Sequence, residues 1–248
     1  MVVGRRVAPV KTLNVLVSPD ALADGTSLDL DETEAHHLRV RRVDAFAEVQ
    51  LFDGIGNSAR GALTAHGQTV SVSIRMVQHT PPLAPTLLAV GAGDKDRFLS
   101  LAERCTELGV TQLVPLTTER SQAVDTRFRD SWLEKARRRA REACKQSENP
   151  WATVVDEACA LSRLAERYPR VHWLVGSVDA APAPRLAAGA AVGWIIGPEG
   201  GLTAEEYQYC VERLDATLVS VGTTILRFDT AAIAAATITQ DRRRAKRG

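Results

Sequence analysis

Cysteine is scarce in this sequence, and the few cysteines lie far apart. The 248 residues include only Cys105, Cys144, Cys159 and Cys210, and none of these belongs to a C-x-x-C pair or has a histidine close to it. This spacing argues against a disulfide framework and against a zinc site. We therefore expect reduced thiols, no metal ion and a cytoplasmic protein.

Long apolar runs are also missing. The longest, around residues 87–92 and 187–196, fall well short of the roughly 20 residues that cross a bilayer. The first 16 residues contain Arg5 and Arg6 but no long apolar stretch and no small-residue cleavage site, so a secretory signal is not expected. We expect no membrane partner.

A strong net charge is absent as well. The 31 Lys and Arg residues nearly balance the 30 Asp and Glu residues, which leaves a formal net charge of +1. Binding to a nucleic acid must therefore come from local basic patches rather than from the field of the whole molecule. A hydrophobic content of 45% and a length of 248 residues suit one large globular domain or two modest ones.

Two segments carry local basic patches. Residues 32–43 predict a short helix or turn whose basic side chains are His36, His37, Arg39, Arg41 and Arg42. Residues 131–147 predict an amphipathic helix with one apolar face and many Lys and Arg residues elsewhere. A solvated surface is the simpler interpretation of both segments. Contact with RNA phosphates is the alternative.

The chain divides at a proline-rich linker. From about Thr12 to Gln78, short strands alternate with turns, which predicts a small β-barrel or sandwich. Residues 80–85 include three prolines and are expected to form an extended linker. From Thr86 onwards strands alternate with helices, which predicts an α/β domain with a parallel sheet. The expected domains are therefore residues 1–79 and 86–248, joined by the linker 80–85.

Two glycine-bearing motifs follow strands near the C-terminal end. The first is Ile196-Gly197-Pro198-Glu199-Gly200-Gly201-Leu202, and the second is Val221-Gly222-x-x-Ile225-Leu226-Arg227-x-Asp229-Thr230-Ala231. Each motif leads from an apolar strand through a turn into a helix. Thr203 and Glu206 have the spacing of a capping box, which predicts that the first helix begins at Ala204. An alanine-rich helix is expected over residues 230–240, followed by a frayed basic tail.

These two loops are suited to a flat ligand. Gly200 and Gly201 can adopt positive φ and carry no Cβ, so a ligand can lie against their backbone. In an open parallel sheet the ligand crevice lies outside the carboxyl ends of the strands, where both loops are expected. The motifs therefore predict a single binding site.

Two Gly-x-Gly sequences elsewhere imitate a dinucleotide-binding loop. Gly54-x-Gly56 precedes a strand-like segment where the fingerprint requires a helix, so we interpret it as a hairpin turn. Gly91-Ala92-Gly93 has the required β-α-β context but lacks the third glycine. A dinucleotide-dependent oxidoreductase built on this loop is a competing hypothesis, and a non-catalytic RNA-binding protein is another.

The two C-terminal motifs together resemble the signature of the RsmE family. The resemblance extends through Thr106-Glu107-Leu108-Gly109-Val110, Pro115-Leu116-Thr117-Thr118-Glu119-Arg120-Ser121, Lys145-Gln146-Ser147, His36-His37-Leu38-Arg39-Val40 and Leu51-Phe52-Asp53-Gly54. It therefore covers nearly the whole chain. The sequence departs from the family pattern at Asp229, where members usually have glutamate, and at Asn149, where they usually have arginine.

The resemblance implies a fold and a reaction. Members of the RsmE family are SPOUT-class enzymes that use S-adenosylmethionine to methylate N3 of a uridine in 16S ribosomal RNA. A C-terminal α/β trefoil-knot domain with a parallel sheet is therefore implied, preceded by a small PUA-like β-barrel that binds RNA. The implied partners are 16S rRNA or the small ribosomal subunit and, in a homodimer, a second copy of the chain.

The resemblance also assigns residues to the site. Cofactor binding is expected from Ile196, Gly197, Glu199, Gly200, Gly201, Val221, Gly222, Ile225 and Leu226, with Ile196 and Ile225 packed on the adenine. RNA contacts are expected from His36, His37, Arg39, Arg41 and Arg120. Removal of the N3 proton requires a base, and the resulting anion requires a cation. Arg227 is the expected cation, and Asp229 is expected to orient Arg227 or accept the proton. The alternative role for Asp229 or Thr230 is to cap the last helix.

Overall fold

A computed structural model of the chain describes residues 13–40, 43–44, 46–66, 69–91, 93–121, 130–187 and 189–244. These residues form two compact units, one that ends at Thr80 and one that begins at Pro81. Within the described ranges, no helix is long and apolar enough to cross a membrane.

The N-terminal unit is a mixed sheet with one helix. Its elements are β1 (Leu13–Leu16), β2 (Ser27–Asp29), α1 (Glu32–Val40), β3 (Glu48–Phe52), β4 (Asn57–His66) and β5 (Thr69–His79). Strands β3, β4 and β5 form an antiparallel meander, β1 pairs parallel with β3, and β2 pairs antiparallel with β5. Strands β1 and β2 are thus the edges of the sheet formed by the described residues. This pairing does not establish the closed barrel that the sequence predicts.

A buried aspartate holds the turn between β3 and β4. Asp53 is fully buried, and its carboxylate accepts hydrogen bonds from the backbone N of Ile55 at 2.9 Å, the backbone N of Asn57 at 3.0 Å and Asn57 Nδ2 at 2.6 Å. Gly54 and Gly56 have φ values of 78° and 105°, which side-chain-bearing residues rarely adopt. The prediction that Gly54-x-Gly56 is a hairpin turn is confirmed.

The C-terminal unit alternates parallel strands with helices. Its elements are β6 (Thr86–Val90), α2 (Lys95–Glu107), β7 (Gln112–Thr117), α3 (Asp130–Ser147), β8 (Val154–Val155), β9 (Cys159–Ala160), α4 (Leu164–Arg167), β10 (His172–Gly176), β11 (Val192–Ile196), α5 (Ala204–Leu214), β12 (Thr217–Val219) and α6 (Phe228–Arg244). The described strands run in the order β12-β10-β11-β6-β7-β8. Strand β9 pairs with the end of β7, at Leu116 and Thr117, after the residues of β7 that pair with β8. All of these pairs are parallel. The predicted α/β domain with a parallel sheet is confirmed.

The sheet of the C-terminal unit is buried on both faces. Leu88 and Val90 of β6 belong to a core shared with helices α2, α3 and α6. Leu87 and Ala89 belong to the opposite core, which includes residues of α4 and α5. Every residue of β6 is therefore buried, as expected for a central parallel strand.

The start of α5 and the limits of α6 can be compared with the helix boundaries that the sequence predicts. The predicted start of α5 is confirmed, because Thr203 Oγ1 accepts from the Glu206 backbone at 3.2 Å and Glu206 Oε2 accepts from the Thr203 backbone at 2.9 Å. The predicted limits of the last helix are wrong, because α6 runs from Phe228 to Arg244. Arg243 extends it by donating to the carbonyls of Ala84, Pro85 and Ala190 at 2.7–2.9 Å. Residues 241–244 are therefore helical, and the expectation of a frayed tail from Asp241 is wrong for these residues.

Candidate active site

A cleft lies at the carboxyl ends of three neighbouring strands, β10, β11 and β12. Its lining comes from the loops after these strands and from the adjoining helices: Gly176, Ser177, Val178, Ile196, Gly197, Pro198, Glu199, Gly201, Tyr207, Val221, Gly222, Thr224, Ile225, Leu226, Phe228 and Ala231. Both predicted loops thus border one cleft. This is where a parallel sheet is expected to bind a ligand.

The loop after β11 is a tight turn that glycine makes accessible. Gly201 has a φ of 71°, and its backbone N donates to the Pro198 carbonyl at 2.8 Å. A Cβ on Gly197 would lie 3.0 Å from the backbone N of Leu202. Glycine at these two positions therefore permits the tight turn and adds no side chain at this edge of the cleft.

Most of the predicted cofactor residues line the cleft, but two of them differ from expectation. Those in the lining are Ile196, Gly197, Glu199, Gly201, Val221, Gly222, Ile225 and Leu226. Gly200 is absent from the lining, and a Cβ built on it would lie 3.3 Å from Arg120 Cβ. Ile225 is 89% exposed, so its side chain projects from the cleft into solvent, whereas Ile196 is buried.

Arg120 connects the turn after β7 to the loop after β11. Its Nη1 donates to the carbonyl of Gly200 at 2.8 Å, and the carbonyl of Leu202 lies 3.5 Å away. The backbone N of the preceding Glu119 donates to Glu206 Oε1 at 2.8 Å. The turn after β7 therefore braces the back of the loop after β11, a role that the sequence did not predict for Arg120.

The loop after β6 supports the same motif from another side. A Cβ on Gly91 would lie 2.7 Å from Pro198 Cδ, and a Cβ on Gly93 would lie 2.6 Å from Glu199 Oε2. Pro198 and Glu199 thus pack directly against Gly91 and Gly93. The two glycines allow the loop after β11 to approach closely, which is a different role from the one that the oxidoreductase hypothesis gives them.

Arg227 and Asp229 lie at the start of α6, beside the cleft. The Arg227 carbonyl accepts from the backbone N of Ala231 at 2.8 Å, which makes Arg227 the N-cap residue and places Asp229 inside the first turn. The alternative in which Asp229 or Thr230 caps the last helix is therefore wrong, because both residues lie inside the first turn. The Arg227 side chain is exposed and makes no ion pair within the described residues.

Asp229 is paired with a residue that the sequence did not single out. Its Oδ1 lies 3.6 Å from Nη1 of Arg97 in α2. The same oxygen is buried and accepts no hydrogen bond from a described residue. Arg97 also lies 3.9 Å from Asp94 Oδ2, so its guanidinium stands between two carboxylates.

The predicted RNA-binding residues of α1 share its exposed side. His36, His37 and Arg39 are exposed, whereas Ala35 and Leu38 are buried. Arg39 forms an ion pair with Glu32. Arg41, the remaining predicted residue of this segment, lies outside the residues that the structure describes.

The sequence interpretation missed the third side of the cleft. Gly176 is the last residue of β10, Ser177 and Val178 follow it, and β10 lies between β11 and β12 in the sheet. Tyr207 of α5 also lines the cleft and donates its hydroxyl to the Gly176 carbonyl at 3.2 Å. A glycine that ends an apolar segment is a local signal for this loop, but the position of the loop beside the two motifs follows only from the strand order.

The described residues include no group of three or more His, Cys, Asp or Glu side chains that could hold a metal ion. All four cysteines are buried and none forms a disulfide.

The chain is similar in sequence to known proteins. Residues 80–240 match the family model described as an RNA methyltransferase domain. The chain is 29% identical over 233 residues to a ribosomal RNA small subunit methyltransferase E of Synechocystis sp., covering 90% of this chain and 75% of that protein. It is 25% identical to the enzyme of the same name from Rickettsia conorii, covering 86% of this chain and 89% of the relative.

A solved structure shows the same architecture. The ribosomal RNA small subunit methyltransferase E of Neisseria gonorrhoeae, in a crystal structure bound to S-adenosyl methionine, superposes with a TM-score of 0.79 at 27% identity, covering 93% of this chain and 97% of that one. The match to the family model, over residues 80–240, spans most of the chain. The resemblance to the RsmE family is thereby confirmed, and the chain belongs to the RNA methyltransferase domain family.

Proposed function

We propose that this protein transfers a methyl group from S-adenosylmethionine to N3 of a uridine in 16S ribosomal RNA, and that it does so in the cytoplasm. The observation that carries the proposal is the cleft at the carboxyl ends of β10, β11 and β12, bordered by both glycine motifs. The chain belongs to an RNA methyltransferase family, and its N. gonorrhoeae relative binds this cofactor.

The residues of the cleft fit the cofactor. Ile196, Leu226 and Phe228 provide apolar surface, which suits the adenine ring. The backbone of Gly197, Gly201 and Gly222 is free of side chains and can hydrogen-bond the adenosine edges. Glu199 is the acidic side chain in the cleft lining and can offset the positive charge of the sulfonium. When bound, S-adenosylmethionine supplies an electrophilic methyl group.

The start of α6 provides the groups that uridine requires. N3 must lose its proton as it attacks, and the carboxylate of Asp229 is the group that we assign to accept this proton or to orient Arg227. The exposed guanidinium of Arg227 can stabilise the negative charge that develops on the uracil oxygens. Arg97 of α2 forms an ion pair with Asp229, so the carboxylate of Asp229 is positioned before RNA binds.

The RNA is held, in this proposal, by residues of both units. His36, His37 and Arg39 are exposed on α1 and can stack on bases or contact phosphates. Arg120 remains a candidate RNA contact through the guanidinium nitrogens that do not brace Gly200. The N-terminal unit would then be a PUA-like RNA-binding module, and the last segment of the C-terminal unit would thread through an earlier loop to form a trefoil knot.

We also propose that the protein is a homodimer. Ile225 is 89% exposed and Val178 is 48% exposed, and both line the cleft. Leu218, on the edge strand β12, is 39% exposed. Exposed apolar side chains favour a protein partner, and a second copy of the chain would cover them. Light scattering coupled to size-exclusion chromatography measures the assembly directly.

The test of function is methyl transfer in vitro. Tritiated S-adenosylmethionine is mixed with small ribosomal subunits from cells that lack this gene, and the modified nucleoside is identified by mass spectrometry. We expect 3-methyluridine from the wild-type protein and a loss of about 100-fold or more for Arg227→Ala. Arg213→Ala removes an exposed arginine of α5 and serves as the matched control. Methylation at another atom, or full activity of Arg227→Ala, would contradict the proposal.

A further inference from the structure

The outward side of the N-terminal sheet contains an irregularity that brings two arginines together. Arg60 of β4 pairs with Met76 of β5, and Gly61 pairs with Ile74, so Arg75 is an extra residue of β5 with no partner across the strand pair. A bulge of this kind takes one side chain out of the normal alternation and re-aims it. Arg60 and Arg75 are both exposed and line the same surface depression.

The two strands approach each other closely at the bulge. A Cβ on Gly61 would lie 2.5 Å from Val72 Cγ1 and 2.7 Å from the Ser73 carbonyl oxygen. Only glycine fits this position without moving the strands. Gly61 therefore permits the bulge that places Arg75 beside Arg60.

The charges in the depression are only partly neutralised. Arg75 Nη1 lies 3.2 Å from Glu48 Oε1, and these side chains are 62% and 80% exposed. Arg60 has no ion-pair partner in the part of the chain that the structure describes. Gln50, which pairs with Arg60 across β3 and β4, adds amide donors to the lining. An ion pair as exposed as that of Arg75 contributes little to stability, so stability alone does not explain this arrangement.

We propose that the depression formed by Gln50, Arg60 and Arg75 binds a backbone phosphate of the RNA substrate. Guanidinium groups match phosphate geometry with paired N–H donors, and glutamine amides commonly contact phosphate and sugar oxygens. Glu48 competes with the phosphate for Arg75. The proposal rests on the proposed function, because it assumes that the substrate is RNA, and it adds a second contact region to the exposed side of α1.

The test measures binding of a 16S rRNA transcript to the full-length protein by filter binding over a range of KCl concentrations. Arg60→Ala is expected to weaken binding several-fold and to reduce the slope of log K against log salt by about 0.7–0.9, the value for one lost phosphate contact. Glu48→Gln is expected to have the opposite effect and strengthen binding, because it releases Arg75. Arg163→Ala, which removes an exposed arginine paired with Glu166, is the control for a change of one charge and is expected to leave the slope unchanged.

The outcomes separate this inference from the proposed function. Thermal unfolding of each variant establishes that it is folded, and methylation of small subunits by the wild-type protein tests the function independently. Active wild-type protein together with unchanged RNA binding by both Arg60→Ala and Glu48→Gln would overturn the phosphate site alone. Weaker binding by Glu48→Gln would also overturn it, since Glu48 would then support the RNA contact rather than compete with it. Failure of the wild-type protein to methylate small subunits would overturn the proposed function, and failure of an active wild-type protein to bind the transcript would overturn the phosphate site.

Discussion

Arg97 Nη1 lies 3.6 Å from Asp229 Oδ1, which joins the first turn of α2 to the first turn of α6. Asp94 caps α2 by accepting from the Arg97 backbone N at 2.9 Å, and its Oδ2 lies 3.9 Å from Arg97 Nε. The guanidinium is thus restrained by its own helix before it meets Asp229. Arg97 is therefore a positioning residue for a carboxylate at the edge of the cleft.

Replacement of Arg97 tests this role. Arg97→Gln leaves the buried Oδ1 of Asp229 without its cation, and we expect kcat to fall about tenfold, equivalent to ~1.4 kcal/mol. The Kd for S-adenosylmethionine, measured by calorimetry, is expected to change less than about twofold, since Arg97 does not line the cleft. Arg104→Gln, an exposed site on the same helix, is the control. An equal effect of both substitutions would remove Arg97 from the positioning role.

Two glycines of the loop after β6 provide a matched pair of variants. Gly91→Ala places a Cβ 2.7 Å from Pro198 Cδ and 2.9 Å from the Pro198 backbone N, so the loop after β11 must move. We expect S-adenosylmethionine to bind about tenfold more weakly or worse, which is a change of ~1.4 kcal/mol. Gly93→Ala meets the carboxylate end of Glu199, a flexible side chain, and is expected to have a smaller effect. Calorimetry that ranks Gly93→Ala as the more damaging change would contradict this packing.

The contact between α6 and the sheet includes a buried hydrogen bond. Trp194 Nε1 donates to Thr239 Oγ1 at 2.8 Å, and both residues are fully buried. Thr239→Val leaves the indole N–H without an acceptor, and we expect the free energy of unfolding in urea to fall by ~1–3 kcal/mol. Thr237→Val is the control, because the exposed Thr237 hydroxyl also donates to the carbonyl four residues earlier but supports no tryptophan. A loss of equal size at both positions would argue against the Trp194 bond as the cause.

Stability at high pH depends on a buried thiol. Burial, followed by the negative charge of Glu206, raises the pKa of Cys210 from 9.0 to about 12. Above pH 9 the unfolded chain loses the thiol proton while the folded chain retains it, so the unfolded state binds fewer protons and stability falls as the pH rises from 9 towards 12. Cys210→Ala is expected to reduce the slope of unfolding free energy against pH in this window. An unchanged slope would show that Cys210 does not contribute.

Local sequence signals predicted the parts of the site that depend on neighbouring residues. The capping box of Thr203 and Glu206 determined the start of α5, because its donors and acceptors lie within one helical turn. The two glycine motifs and Ile196 were placed at the cleft, because an apolar strand followed by glycine ends at the carboxyl edge of a parallel sheet.

The rest of the site depends on contacts between distant segments. Gly176 reaches the cleft because β10 lies between β11 and β12, and periodicity does not give a strand order. Arg97 and Asp229 meet only after α2 and α6 pack on the same face of the sheet. The extension of α6 to Arg244 likewise depends on carbonyls of Ala84, Pro85 and Ala190, which no signal near residue 243 reveals.

The most direct measurement is mass spectrometry of 16S ribosomal RNA from cells that lack this gene, compared with the parent strain and with strains complemented by the wild-type protein or by Arg227→Ala. We expect one 3-methyluridine to disappear on deletion, to return with the wild-type protein and to stay absent with Arg227→Ala. An unchanged set of 16S modifications after deletion, or full restoration by Arg227→Ala, would contradict methyl transfer from this cleft.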